Sequence, residues 1–151
     1  MEQPMTAESA LERIRTALIE AKLEKTVSDK GKSLALTFTG KAGGEWLLQV
    51  QQCGWDIFGV EGDLLAHEES GKEEKAEATA ELEGNTLETF EYETETGDVS
   101  LSFDDGTMLA LYTPDKETQK AAYFSVFTPD GHALSFKADK TLEYGEAKGK
   151  R

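Results

Sequence analysis

The chain has 151 residues, 38% hydrophobic and 9% aromatic, with 30 acids against 16 bases and a formal net charge of −14. This is enough apolar side chain for one core in a single domain spanning 1–151, and too much for a disordered chain. The charge disfavours direct nucleic-acid binding, because phosphates would be repelled. The lone Cys53 excludes an internal disulfide framework, and no run approaches the ~20 apolar residues of a membrane span. With no basic-then-apolar start in MEQPMTAESALERI, the expected location is the cytoplasm.

Leu11, Ile14, Leu18 and Ala21 recur at spacings of 3, 4 and 3, one face of a helix. The pattern predicts a helix over 6–25, with Thr6 as N-cap, Glu8 in the first turn and SDKGK as the closing turn. A single apolar stripe must pack on something, and almost everything after it reads as strand.

The first β unit, 33–66, begins with SLALTFTG, where Leu34, Leu36 and Phe38 alternate. EWLLQVQ follows, then WDIFGVEGDLL from Trp55 to Leu65. The second unit, 82–144, repeats that order. DVSLSFDDG alternates Val99, Leu101 and Phe103, TMLALYT follows, and FSVFTPDGHAL runs from Phe124 to Leu134. Trp55 matches Phe124, Ile57 matches Val126, Phe58 matches Phe127, Gly62 matches Gly131 and Leu65 matches Leu134. The offset grows from 65 to 69, which places a small insertion around DKETQKAA. The turns VEGD, PDGH and Asp104-Asp105-Gly106 use the freedom of glycine to take positive φ. Two such units cannot each bury a face alone and should share a core. The expected fold is therefore α+β: an N-terminal helix packed on a mostly antiparallel sheet of seven to nine strands, built from a duplicated β-meander. The basic, apolar-free tail 145–151 is expected to fray.

Most of the charge excess lies in the middle of the chain, where residues 66–97 hold 11 acids and 2 bases. Residues 67–81 carry no large apolar side chain and predict a mobile acidic loop, or a short exposed helix, unable to anchor a core. LEGNTLETFEYETETGD then reads as a strand with Phe90, Tyr92 and Thr94 on one face and Glu91, Glu93 and Glu95 on the other. Same-face residues of a strand stand roughly 6.6–6.8 Å apart. That is close to the phosphate spacing along a nucleic-acid strand, so three carboxylates in a row can imitate a piece of backbone. The plainer reading is a solvated face that keeps the strand unpaired.

Motifs for chemistry are weak. His67 and His132 lack metal-ligand spacing, and Cys53 has no elbow or oxyanion motif beside it. Trp46 and Trp55 lie on apolar strands and read as core, the DDGT stretch lacks the later ligands of a calcium loop, and no glycine-rich phosphate loop precedes a helix. The expectation is a protein that is not an enzyme, with no catalytic residues, metal or cofactor.

Three segments carry a resemblance: LEGNTL (82–87), DVSLSFDDGTMLALYTPD (98–115) and YFSVFTPDGHAL (123–134). They resemble a group of small bacterial proteins of unassigned function, some encoded near polymorphic or contact-dependent toxins as candidate immunity proteins. That group pairs a strand ending in F-D-x-G with a later aromatic strand and a P-D-G turn, though its aromatic strand often carries Trp where this chain has Phe124. The resemblance implies a toxin inhibitor and carries over no functional residue.

Charge and resemblance together predict an immunity- or antitoxin-type inhibitor that fills the basic cleft of a partner such as a toxin nuclease. The expected partner-binding residues are Glu88, Glu91, Glu93 and Glu95, with Asp104 and Asp105. Alternatives are a phage-type DNA mimic that blocks a host defence enzyme, a secretion chaperone, which usually needs a second amphipathic helix, and an enzyme whose pocket no local motif reveals.

Overall fold

Thr6 starts the first helix as expected. Its Oγ1 accepts from Ser9 N–H at 3.1 Å, and α1 (Ala7–Leu18) buries Ala10, Ile14 and Leu18. The computed structural model describes residues 6–28, 33–51, 53–113, 122–137, 139 and 141–146. The SDKGK turn beyond Ser28, the insertion up to residue 121 and tail residues 147–151 lie outside the described residues.

α1 stops at Leu18, short of the expected 25. Glu20 takes a left-handed φ of 74°, and the backbone then bonds to a segment far along the chain. Glu20 N–H donates to Leu87 O (2.7 Å), Leu87 N–H to Ala21 O (2.9 Å), Leu23 N–H to Asn85 O (2.9 Å) and Gly84 N–H to Leu23 O (2.7 Å). Lys22–Ser28 continue from this junction as β1.

The strands following are β2 (Leu34–Thr39), β3 (Glu45–Val50), β4 (Gly54–Phe58), β5 (Leu64–His67), β6 (Leu87–Tyr92), β7 (Val99–Phe103), β8 (Met108–Tyr112), β9 (Ala122–Phe127), β10 (His132–Lys137) and β11 (Leu142–Glu146). The class is α+β as expected, but the strands form two sheets rather than one. Sheet A has the order β1-β2-β3-β9-β10-β11 and sheet B the order β5-β4-β8-β7-β6, and every pairing within them is antiparallel. Each sheet joins the first three strands of one repeat to the hairpin of the other. Gly145 and Glu146, expected to fray, pair with Ala133 and His132 at the end of β11.

The repeat also includes a helix. Residues 67–81, expected as an acidic loop or a short exposed helix unable to anchor a core, contain most of α2 (Lys72–Leu82), which instead buries Lys75, Ala78, Thr79 and Leu82 against β1 and β5. Apolar periodicity is missing because small and amphipathic side chains make the contact. The Lys75 ammonium lies over the Trp55 ring, 5.7 Å from its centroid. Thr79 Oγ1 donates within the helix, 2.9 Å from Lys75 O and 3.1 Å from Ala76 O, so its hydroxyl is satisfied when buried. Gly71 N–H donates to Glu74 Oε1 at 3.3 Å, half of a capping box.

α1–β1 to β5 and α2–β6 to β10 are thus two copies of one unit. The bonded junctions, residues 20–23 and 84–87, are equivalent between copies. Each leads into a strand with a register shift just after its first buried leucine, between Leu23 and Lys25 and between Leu87 and Thr89. The equivalent Phe38 and Phe103 stack between the sheets, with centroids 6.3 Å apart and planes 7° from parallel. Phe90 packs on Phe124 and Phe136, and Tyr92 meets Phe136 edge-on. β6 therefore runs across sheet A, from the β1 junction to β10. α1 packs on the edge strands β6 and β11, and α2 on the edge strands β1 and β5, so each helix covers one edge of both sheets.

The junctions and the α2 contact yield three expectations. Glu20 occupies the position that Gly84 (φ 89°) fills in the second copy. Glu20→Gly should raise stability by about 0.5–1 kcal/mol and Gly84→Ala lower it by about 1 kcal/mol, read from urea unfolding. Leu82→Ala should cost about 2–5 kcal/mol. A near-neutral result there would mean that α2 is not anchored.

Candidate functional site

The six carboxylates expected to bind the partner separate in the fold. β6 ends at Tyr92, so Glu93 and Glu95 do not continue the strand, and the row of Glu91, Glu93 and Glu95 is not formed. The chain turns instead: Glu93 N–H donates to Asp98 O (2.9 Å) and Gly97 N–H to Glu93 O (2.6 Å). The buried Tyr123 pins this turn from sheet A by donating its hydroxyl to Gly97 O. Burial pushes that hydroxyl's pKa well up. Glu95 and Thr94 are exposed on the turn, and Glu88 is exposed at the register shift of β6.

Asp104 and Asp105 lie at the opposite end of the β6–β7 hairpin and serve the turn. Asp104 Oδ1 accepts from Thr86 N–H at 3.1 Å. Asp105 Oδ1 accepts from the Thr107 amide (3.0 Å) and hydroxyl (2.7 Å), and its Oδ2 from Asn85 (2.9 Å). Burial alone would raise the Asp105 carboxyl, but the bonds from Thr107 and Asn85 together hold it below its ordinary 3.8. These two aspartates are turn builders, not members of a continuous anionic row.

Glu91 remains on a patterned surface. Strand alternation and register set Asp56 (β4), Ala110 (β8), Ser100 (β7) and Glu91 (β6) side by side on the outer face of sheet B. Asp56 and Glu91 stand three strand spacings apart, roughly 14 Å. Glu93 and Asp98 border the same face where β6 meets β7. The Tyr112 hydroxyl donates to Asp56 Oδ2 at 2.7 Å, and Asp98 Oδ1 accepts from Thr113 N–H at 2.9 Å. Burial first, then the bond to Asp56 and the charges of Asp56, Asp98 and Glu68, push Tyr112 up to about 12. Sequence reasoning missed Asp56, Asp98 and Tyr112.

No Lys or Arg occurs in any strand of sheet B. Among the described residues the ion pairs are Arg15–Glu12 (3.0 Å), His132–Asp130 (3.2 Å) and Lys137–Glu143 (2.8 Å), none of them on sheet B. Among the described residues the face is thus anionic, with no ion pair on it. α2 adds Glu73, Glu74, Glu77 and Glu81, all exposed.

Residues considered for chemistry fall elsewhere. Trp46 and Trp55 are buried in the core, and so is Cys53. His67 Nδ1 accepts from Glu69 N–H at 3.2 Å, and His132 stacks on Tyr144. Among the described residues no three His, Cys, Asp or Glu gather to hold a metal, and no helix is long and apolar enough to cross a membrane.

No protein-family model matches the chain, and comparison with curated proteins and with solved structures finds no match.

Two titrations check the electrostatics. Tyr112 is raised in the folded state, so its stabilising effect is full below its ordinary 10.0 and is lost as pH climbs toward about 12. Asp56→Asn should bring the Tyr112 titration, read as the difference from Tyr112→Phe, down toward 10; an unmoved titration would contradict the Asp56 coupling. Asp105 is lowered, so its contribution is present above 3.8 and is lost as pH falls below it. The stability gap between the parent chain and Asp105→Asn should therefore be widest near neutral pH and close in acid.

Proposed function

We propose that this chain is a non-catalytic acidic binding protein that occludes the basic, nucleic-acid-binding site of a partner protein in the cytoplasm, as an immunity- or antitoxin-type inhibitor does. The observation that carries the reading is the anionic face of sheet B, where Asp56 and Glu91 on the strands, with Glu93 and Asp98 in the β6–β7 turn, have no ion-pair partner among the described residues and no Lys or Arg on the five strands. Carboxylates held on a sheet meet a basic cleft with little further ordering, and net charge speeds the encounter. The sequence resemblance to candidate immunity proteins points the same way.

A non-catalytic role fits the ionisation states. Among the described residues every carboxyl with a displaced pKa, namely Asp105, Asp130, Asp139 and Glu143, is displaced downward. A general acid working near neutrality needs the opposite shift. The chaperone reading asked for a second amphipathic helix, but the buried face of α2 is already taken up by β1 and β5.

Immobilised chain should capture a basic protein from the lysate of its own host and release it with salt. The purified pair should associate about tenfold more slowly at 0.5 M salt than at 0.05 M. The captured protein should lose nucleic-acid binding when the chain is added. A salt-insensitive partner, or one that binds nucleic acid and the chain together, would contradict the reading.

A further inference from the structure

The duplicated architecture supplies an internal control for the acidic face. Across sheet B the outward row is Asp56, Ala110, Ser100 and Glu91. The equivalent row across sheet A is Ser125, Gln49, Ala35 and Val27, joined by the same pairings. The next row keeps its character at three of four positions: Phe58, Met108 and Ser102 on sheet B against Phe127, Leu47 and Thr37 on sheet A, with Thr89 standing where sheet A has Lys25. One backbone plan therefore folds with or without the two carboxylates, so Asp56 and Glu91 are not requirements of the sheet.

Glu91 lines a trough of about 520 Å³ that lies across the strands, and Asp56 adjoins it through its bond from the trough residue Tyr112. Phe58 and Met108 wall one side, Tyr112 the other, and Ala110 and Ser100 form the floor. Glu91, Glu93 and Asp98 line it, and Asp56 lies beside it on β4, its Oδ2 accepting from the Tyr112 hydroxyl. Neither helix lies over this face, because α1 and α2 meet sheet B at its edge strands β6 and β5. The same covering leaves those edges poorly placed to accept an added strand, so a partner is directed to the face.

We propose that the trough on the outer face of sheet B is the docking surface for a basic α-helical segment of the partner protein. It would present two Arg or Lys residues to Asp56 and Glu91, with an apolar side chain seated between Phe58, Met108 and Tyr112. Charge complementarity selects the cations, and the apolar walls select what lies between them. The ~14 Å between the two carboxylates corresponds to roughly two to three helical turns. The inference rests on the acidic-binder reading and deepens it by naming the face and the partner element.

The test titrates the full-length chain with a synthetic alanine-based helical peptide. The peptide carries two arginines about three turns apart on one face, with a leucine midway; a second peptide of the same composition has the arginines on opposite faces. The matched peptide should bind more tightly and shift the amide resonances of Ser100, Ala110 and Tyr112. Ser100→Arg, in the trough floor, should weaken it at least tenfold, whereas Ala35→Arg, the equivalent change on sheet A, should alter it less than twofold. If Ser100→Arg does not fold, Asp56→Asn with Glu91→Gln serves in its place, with the same loss expected. Equal losses from Ser100→Arg and Ala35→Arg, or equal binding of the two peptides, would overturn the trough while leaving the acidic-binder reading intact. Failure of both peptides to bind at low salt, with a basic partner still captured from the host, would overturn the trough alone; failure of both experiments would remove the two readings together. Binding only after removal of residues 147–151 would make the trough the seat of the chain's own basic tail and overturn the partner assignment.

Discussion

The hydrogen bonding between two helix-to-strand junctions, residues 20–23 and 84–87, is the constraint from which the rest of the structure follows. It ends α1 at Leu18, sets the start of β1 against the start of β6, and brings Phe38 and Phe103 into a stack between the sheets. With the junctions joined, the later hairpin of each repeat completes the opposite sheet, and each helix is left to close one edge of both. Neither repeat has a complete core of its own. The cooperative unit is the pair, which is why a chain of this size can leave both outer sheet faces free of helices.

That arrangement separates what the fold demands from what it does not. Inward positions are apolar in both repeats: Leu34, Leu36 and Phe38 in one, Val99, Leu101 and Phe103 in the other. Outward positions are under looser constraint, and there the two sheets differ. Sheet A carries Lys25 and the Lys137–Glu143 pair; sheet B carries Asp56 and Glu91 with no lysine or arginine on its strands. Like charges placed together on a surface raise the energy of the folded state modestly, and a protein that holds them in register gains an electrostatic surface for a cationic partner.

The strands and their duplication were legible in the sequence because alternating apolar residues report inward faces directly. Leu34-Leu36-Phe38 and Val99-Leu101-Phe103 needed no tertiary information. The packing of α2 was not legible, since apart from Leu82 its buried contacts come from Lys75, Ala78 and Thr79, which register as polar or small until the Trp55 ring and the intrahelical hydroxyl bonds are known. The end of α1 was hidden for a different reason: Glu20 turns left-handed to satisfy bonds to residues more than sixty positions away. At the candidate site, Glu91 was readable from alternation, whereas the row through Glu95 failed because β6 stops at Tyr92. Asp56 had a signal that went unused. It is the lone acid between Trp55 and Ile57, and the repeat aligns it with Ser125, so comparing the two copies position by position marks it as a departure.

The central claim is that binding depends on where the carboxylates stand and not on how many there are. The most direct measurement compares affinity for the captured basic partner, at one ionic strength, in two variants that each lose four carboxylate charges: Asp56→Asn/Glu91→Gln/Glu93→Gln/Asp98→Asn on sheet B, and Glu73→Gln/Glu74→Gln/Glu77→Gln/Glu81→Gln on α2. The account predicts that the first loses at least about a hundredfold in affinity, some 2.7 kcal/mol, while the second stays within about fivefold of the parent. Equal losses in the two variants, or a larger loss from α2, would contradict it.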